Sequence, residues 1–242
     1  MAQNKVEGIC GICGQFGQLT FEHVPPKAAF NKGKFVIIPS EKSIQLGLNE
    51  EFKGPVFQGG IGLHSLCAKC NNATGRWYGN DYVRFAYQAA LILQRSKFKP
   101  TLFYPFHLSP IKVLKQVVSM FLSINHDVPF REDHPELVKF VLDRNDKYLN
   151  PKYRICMYYN YEGINRYLPF TVVMNVEGIS KPVQMCEISY PPFGFVFTFD
   201  SSPLLDEKLF DISFFSRYDF NYSTRCFLLN IDNEIVVFES TE

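Results

Sequence analysis

Two cysteine pairs, Cys10-Gly11-Ile12-Cys13 and Cys67-Ala68-Lys69-Cys70, each offer two sulfurs from one tight turn. Four thiolates so arranged fill the tetrahedral sphere that Zn²⁺ favours, and no position is left for water or substrate. The spacing therefore predicts a structural zinc. Any catalysis must sit beside it, and two polar elements are placed to supply it. Glu22-His23 follows the first pair within Thr20-Phe21-Glu22-His23-Val24-Pro25-Pro26, and Asn71-Asn72 directly follows the last cysteine.

The order of these pieces, a CxxC, an acidic residue and histidine in a short strand with proline just after, then Leu66-Cys67-x-x-Cys70-Asn71, resembles the HNH endonucleases. These are the zinc-stapled branch of the ββα-metal nucleases. The resemblance covers roughly the first third of the chain, and the combination is specific although each piece alone is weak. It implies Glu22 as an acidic ligand of a catalytic Mg²⁺ or Mn²⁺, His23 as general base, and Asn71 as the closing ligand on a helix, with Asn72 as its substitute. It also implies DNA as the substrate, RNA not being excluded, with 5′-phosphate and 3′-hydroxyl products, in settings such as restriction or antiviral defence. The chain departs from the family at one point. An asparagine usually stands about five residues before the third cysteine, where this chain has Gly62, and either nearby His64 or a backbone group would have to take over its support.

Cleaving a phosphodiester needs a water made nucleophilic, a charged transition state stabilised and a leaving oxygen neutralised. An imidazole suits the first task because it accepts a proton near neutral pH without prior ionisation. Hard oxygen ligands around a divalent ion suit the other two. Lys27, Lys69 and Arg76 are candidate phosphate contacts, or ordinary solvated charge. A reading from another class is a non-catalytic zinc-binding module for nucleic acid or protein, against which Glu22, His23 and Asn71 all speak.

Positioning these residues asks for a particular local structure. A strand over Leu19 to Val24 puts Phe21 and His23 on one face and Thr20 and Glu22 on the other, so Glu22 and His23 serve one centre only if the strand is distorted or ends there. Pro25-Pro26 provides such an end. Residues Lys27 to Gly60 form an insertion with a short strand at Lys34 to Pro39. Its Lys32, Lys34, Lys42 and Lys53 either track a nucleic-acid backbone or keep a surface loop solvated. A second strand runs from Gly59 to Leu66, and a helix from Asn71 to about Gln94, weakened at Gly75 and Gly79. Trp77 and Tyr78 read as core rather than as base-stacking platforms.

Farther along, a connector over Lys97 to Pro105 precedes a buried helix from Ser109 to Ile124, with Ser109 as N-cap and Pro110 in its first turn. A helix follows at Pro135 to Asp143. Aromatic and β-branched runs at 153–159, 168–176, 182–190, 194–199, 210–217, 224–229 and 235–238 then predict a mostly antiparallel sheet. The fold class is α+β: a zinc-stapled ββα-metal nuclease module over residues 1–96, and an accessory α+β part over 97–242 for recognition, regulation or a homodimer contact.

Composition agrees with this division. The chain has 242 residues, is 46% hydrophobic and carries a formal net charge of +1. Residues 1–100 hold 12 Lys+Arg against 6 Asp+Glu, a net +6, and the remainder holds 13 against 18, a net −5. The basic surplus thus lies with the motif, as phosphate binding would need. Seven cysteines, two CxxC pairs among them, argue for metal in a reducing compartment rather than for a disulfide framework. With no long apolar run and no secretory signal, a soluble cytoplasmic protein without membrane contact is expected.

Overall fold

The computed structural model describes residues 5–38, 54–96, 104–160, 165–173, 182–199 and 209–228. It is a mixture of helices and antiparallel sheet, the α+β class that the pattern predicts. Strands β1 (Glu7–Ile9), β2 (Phe16–His23) and β5 (Gly62–Cys67) form one sheet in the order β1-β2-β5. The insertion contributes β3 (Phe35–Val36), shorter than the strand expected there, which pairs with β4 (Val56–Phe57). Lys42 and Lys53 lie outside the described residues.

The β2–β5 ladder slips between Thr20↔Leu66 and Phe21↔His64, leaving Ser65 as the extra residue. That bulge is in β5, so β2 keeps its alternation. Ser65 is fully buried, its hydroxyl lies 2.6 Å from that of Ser123, and its carbonyl accepts the Gly11 N–H at 2.8 Å.

Strand β5 runs straight into α1 (Ala68–Thr74), a π-helical turn (Gly75–Gly79) and α2 (Asn80–Ser96). The helix begins three residues earlier than expected because Cys67 already occupies the extended N-cap position, and one helical turn then brings Cys70 back to the same side. Gly75 and Gly79 bracket the wide π turn instead of ending the helix. Within it Tyr78 is fully buried, and its hydroxyl donates to the Val141 carbonyl at 2.6 Å, in keeping with its reading as core.

Part of the expected connector is strand β6 (Tyr104–Leu108), paired antiparallel with β12 (Thr224–Leu228). Phe106 and Leu108 alternate inward, but the partner strand is more than a hundred residues away, so local sequence offers little sign of the pairing. All but Lys112 of the fifteen residues of α3 (Pro110–Ile124) are buried. Ser109 has the backbone of an N-cap without capping the helix, its hydroxyl donating instead to Asp81 at 3.0 Å. Short helices α4 (Phe130–Asp133) and α5 (Pro135–Leu142) follow.

The larger sheet has the order β11-β7-β10-β9-β8, antiparallel throughout: β7 (Tyr153–Tyr159), β8 (Arg166–Val173), β9 (Val183–Tyr190), β10 (Phe193–Phe199) and β11 (Phe210–Asp211). Every residue of the central β10 is buried, as a strand covered on both faces must be. The run expected at 210–217 is strand for two residues only and then a 3₁₀ turn at Ser213–Arg217, where the Ser213 hydroxyl accepts the Ile155 N–H at 2.8 Å. The strand expected at 235–238 lies outside the described residues. One contiguous cluster of buried side chains runs from Cys10 to Phe215. Among the described residues no helix is long and apolar enough to cross a membrane.

Candidate metal centre and its neighbours

The four sulfurs of Cys10, Cys13, Cys67 and Cys70 lie within 4.8 Å of one another, with Cys13 Sγ and Cys67 Sγ 3.8 Å apart. A tetrahedron with Zn–S bonds of about 2.3 Å has edges of about 3.8 Å, so the cluster has a geometry that could hold a metal such as zinc. A disulfide would need sulfurs about 2 Å apart. Local structure explains the convergence. The first pair sits on a turn closed by Gly14 N–H to Cys10 O at 2.9 Å and Cys10 N–H to Gln15 O at 3.0 Å, with Gly14 at φ 73°. The Cys67 N–H points at Cys10 Sγ, 3.3 Å away. Hydrogen bonding from Cys70, then from the Cys67, Cys13 and Ile12 backbone, pulls the Cys10 thiol down to about 4, against the upward push of burial. The Cys70 thiol, as donor to Cys10 and in a buried place, is pushed up. Burial, then the neighbouring Cys10, also pushes the Cys13 thiol up, so of these three sulfurs only that of Cys10 favours the anionic ligand form without a metal.

Arg131 of α4 buttresses this turn from outside, donating Nη1–H to Cys10 O at 2.9 Å, and its guanidinium occupies the space that a side chain at Gly14 would need. Nothing in the local sequence around Arg131 marks it for this, since it comes from a helix 121 residues on.

Strand β2 ends at His23, the condition under which Glu22 and His23 can both face one centre. Along the strand they diverge. Phe21 lies edge-on to both His23, at 5.0 Å, and the exposed His64, at 5.3 Å, whereas Glu22 is buried. Burial pushes the Glu22 carboxyl up to about 7, and among the described residues no hydrogen-bond donor or cation reaches it. A buried carboxyl of this kind suits compensation by a cation. Asn71 is half-buried and donates Nδ2–H to Thr20 Oγ1 at 2.9 Å, two residues before Glu22 and on the same side of the strand. Its Oδ1 is the atom left for a ligand. Neighbouring Asn72 is exposed, and no hydrogen bond joins its side chain to β2 among the described residues.

His23 Nε2 lies 3.0 Å from the Gly59 carbonyl. A carbonyl has no proton to give, so Nε2 is the donor, and in the neutral imidazole Nδ1 carries the lone pair. Gly59 and Gly60 hold φ values of 92° and 96°, and a Cβ on Gly60 would stand 2.1 Å from the Asn31 carbonyl oxygen, so the loop that receives His23 needs glycine.

No side chain fits at Gly62, where a Cβ would meet the Glu22 carbonyl oxygen at 2.1 Å. His64 is exposed, and its ring lies edge-on to Phe21. The fully buried Asn31 bridges the two loops instead: Nδ2 donates to Pro25 O at 2.8 Å and Ile61 O at 2.7 Å, and Oδ1 accepts the Ile61 N–H at 2.7 Å. An asparagine between lysine-bearing loop residues gives little hint of this in sequence. Lys27, Lys69 and Arg76 are exposed, and none is ion-paired among the described residues. Compared with known proteins, the chain matches no family model, no curated protein and no solved structure.

Proposed function

We propose that the chain is a metal-dependent endonuclease of the HNH kind, hydrolysing DNA phosphodiesters beside a structural zinc held by Cys10, Cys13, Cys67 and Cys70. The observation that carries this reading is the fixed histidine: His23 stands at the end of a hairpin pinned by the cysteine cluster, its Nε2–H engaged by Gly59 O and its Nδ1 lone pair available. In that role Nδ1 takes a proton from the attacking water while the Gly59 carbonyl steadies the imidazolium that forms. Glu22 and Asn71 Oδ1 are the residues to hold a catalytic Mg²⁺ or Mn²⁺, and the buried, cation-less Glu22 carboxyl supports that fit. Such an ion, when bound, would neutralise charge on the scissile phosphate and the departing 3′ oxygen. Asn31 keeps the loops on either side of His23 at a fixed spacing, and exposed Lys27, Lys69 and Arg76 are the candidates to meet the phosphate backbone.

The test is a plasmid-nicking assay with Mg²⁺ or Mn²⁺ on the native chain and His23→Ala. Nicking should be lost in the variant, with thermal stability within about 0.5 kcal/mol of native, since a half-exposed side chain is removed. Equal activity in both proteins, or products ending in 3′-phosphate, would remove this mechanism.

A further inference from the structure

Phe30 is the only non-glycine residue with positive φ among the described residues, at 69°, a conformation that bulky side chains rarely adopt. The surroundings hold it there. Its carbonyl accepts the Lys32 N–H at 2.8 Å and the Tyr190 hydroxyl at 3.2 Å, and the buried Asn31 clamp is the next residue. The effect is to turn an aromatic ring outward. Phe30 remains 42% exposed and stacks on Tyr87 of α2, itself 55% exposed, with centroids 6.1 Å apart and planes 13° from parallel.

Two large rings stacked on each other at the surface contribute little to a core, and a strained backbone that the fold enforces is a recognised mark of function. The charge on the loop that carries Phe30 is of one sign. Residues 23–38 carry Lys27, Lys32 and Lys34, all exposed, and no carboxylate. Arg84, one turn before Tyr87 on α2, has a side chain 74% exposed and reaches the far less exposed Asp81 only at 4.0 Å. The loop is also continuous with the candidate centre: Gly60 packs on Asn31, and the Gly59 carbonyl beside it receives His23. Exposed aromatic rings amid cationic side chains form a surface for nucleobases with phosphates alongside.

We propose that the Phe30–Tyr87 pair is a stacking platform for an unpaired nucleobase, which makes the substrate a nucleic acid with a single-stranded or flipped nucleotide near the scissile bond. A base inside a duplex is already covered on both faces and has none to offer. The inference rests on the nuclease reading for what happens next, but not for the binding itself.

The experiment uses the full chain without added Mg²⁺ or Mn²⁺, so that binding is read without cutting. Affinity is measured for a short single-stranded oligonucleotide carrying one 2-aminopurine, and for the same sequence as a duplex. Native protein should bind the single strand more tightly and quench the 2-aminopurine. Tyr87→Ala and Phe30→Gly should each weaken single-strand binding about 5- to 100-fold and remove the quench, leaving duplex affinity within about twofold. Glycine suits the positive φ, so Phe30→Gly should melt no lower than native, which separates loss of the ring from loss of the fold. Unchanged single-strand affinity in both variants, equal native affinity for duplex and single strand, or native binding to neither would overturn the platform. Stacking without nicking would keep it and remove the nuclease reading. Nicking with intact single-strand binding in both variants would do the reverse.

Discussion

The cysteine-bearing hairpin and the five-stranded sheet are held by different physics. Around the hairpin the buried apolar side chains are aliphatic or sulfur-bearing, Ile12, Leu19 and Leu66 among them, and much of the order comes from directed contacts: four convergent sulfurs, Asn31 across two loops, Ser65 against Ser123. In the sheet the side chains of Phe193, Phe195, Phe197 and Phe199 line one face of β10 and pack with Tyr153, Phe121 and Phe130. Coordination and hydrogen bonds fix positions to within a few tenths of an ångström but fail together when one partner goes. Apolar packing tolerates local change and loses stability by degrees. The hairpin combines the two, with directed contacts inside it and apolar packing against the rest of the core as its anchor. The anchoring is direct: Tyr167 and Tyr190, from the sheet, donate to the Val24 and Phe30 carbonyls on the loop after β2.

The largest effect expected from this contrast is metal loss. Stripping the metal with a strong chelator, or Cys67→Ser, removes an apparent binding energy of about 10 to 16 kcal/mol. Hydrogen exchange should then show β2, β5 and α1 unprotected while β7, β9 and β10 keep their protection. Simultaneous loss everywhere would mean that the sheet depends on the metal as much as the hairpin does.

Phe197→Ala should act the other way round, costing about 3 to 5 kcal/mol in thermal or denaturant unfolding while the native state still binds one zinc per chain. Zinc content falling in step with stability would dissolve the distinction. Asn31→Ala strands the Ile61 N–H and two carbonyls and should cost about 1 to 3 kcal/mol. Its nicking rate should fall further than its melting point suggests, because the loops that carry Pro25 and Ile61, on either side of His23 and its Gly59 partner, lose their common tether. A rate that simply tracks unfolded fraction would reduce Asn31 to ordinary packing.

The smallest effect concerns Lys115 on α3, which is fully buried and donates to the Phe140 and Asp143 carbonyls at 2.5 and 2.6 Å. Burial pulls its amine down to about 8 from the ordinary 10.5. The unfolded chain therefore binds the extra proton more tightly between these values, so the Lys115 contribution to stability should rise as pH climbs from 8 towards 10.5. Denaturant midpoints across that window should rise more in native protein than in Lys115→Met. Parallel curves would show that Lys115 is not the group responsible.

Reading the residues in order was enough for the features that short-range patterns encode. The two CxxC spacings converge as expected, β7 spans the residues that its aromatic alternation marks, and the continuous apolar face at Ile111 to Leu122 is a buried helix. The misses share one cause. Strand β6 needs β12, the 3₁₀ turn at Ser213 needs Ile155, and Asn31 matters because Pro25 and Ile61 come within reach of one amide.

Residue type and spacing thus established the cysteine cluster and the α+β class, because turns, alternation and helical period are set within a few residues. The fold alone settled that Nε2 of His23 is the donor nitrogen, that Asn71 bonds to Thr20 on β2, and that Phe30 faces outward on Tyr87. Each of those depends on a partner far along the chain, and hydrogen bonding and steric exclusion act only when folding has brought the two together.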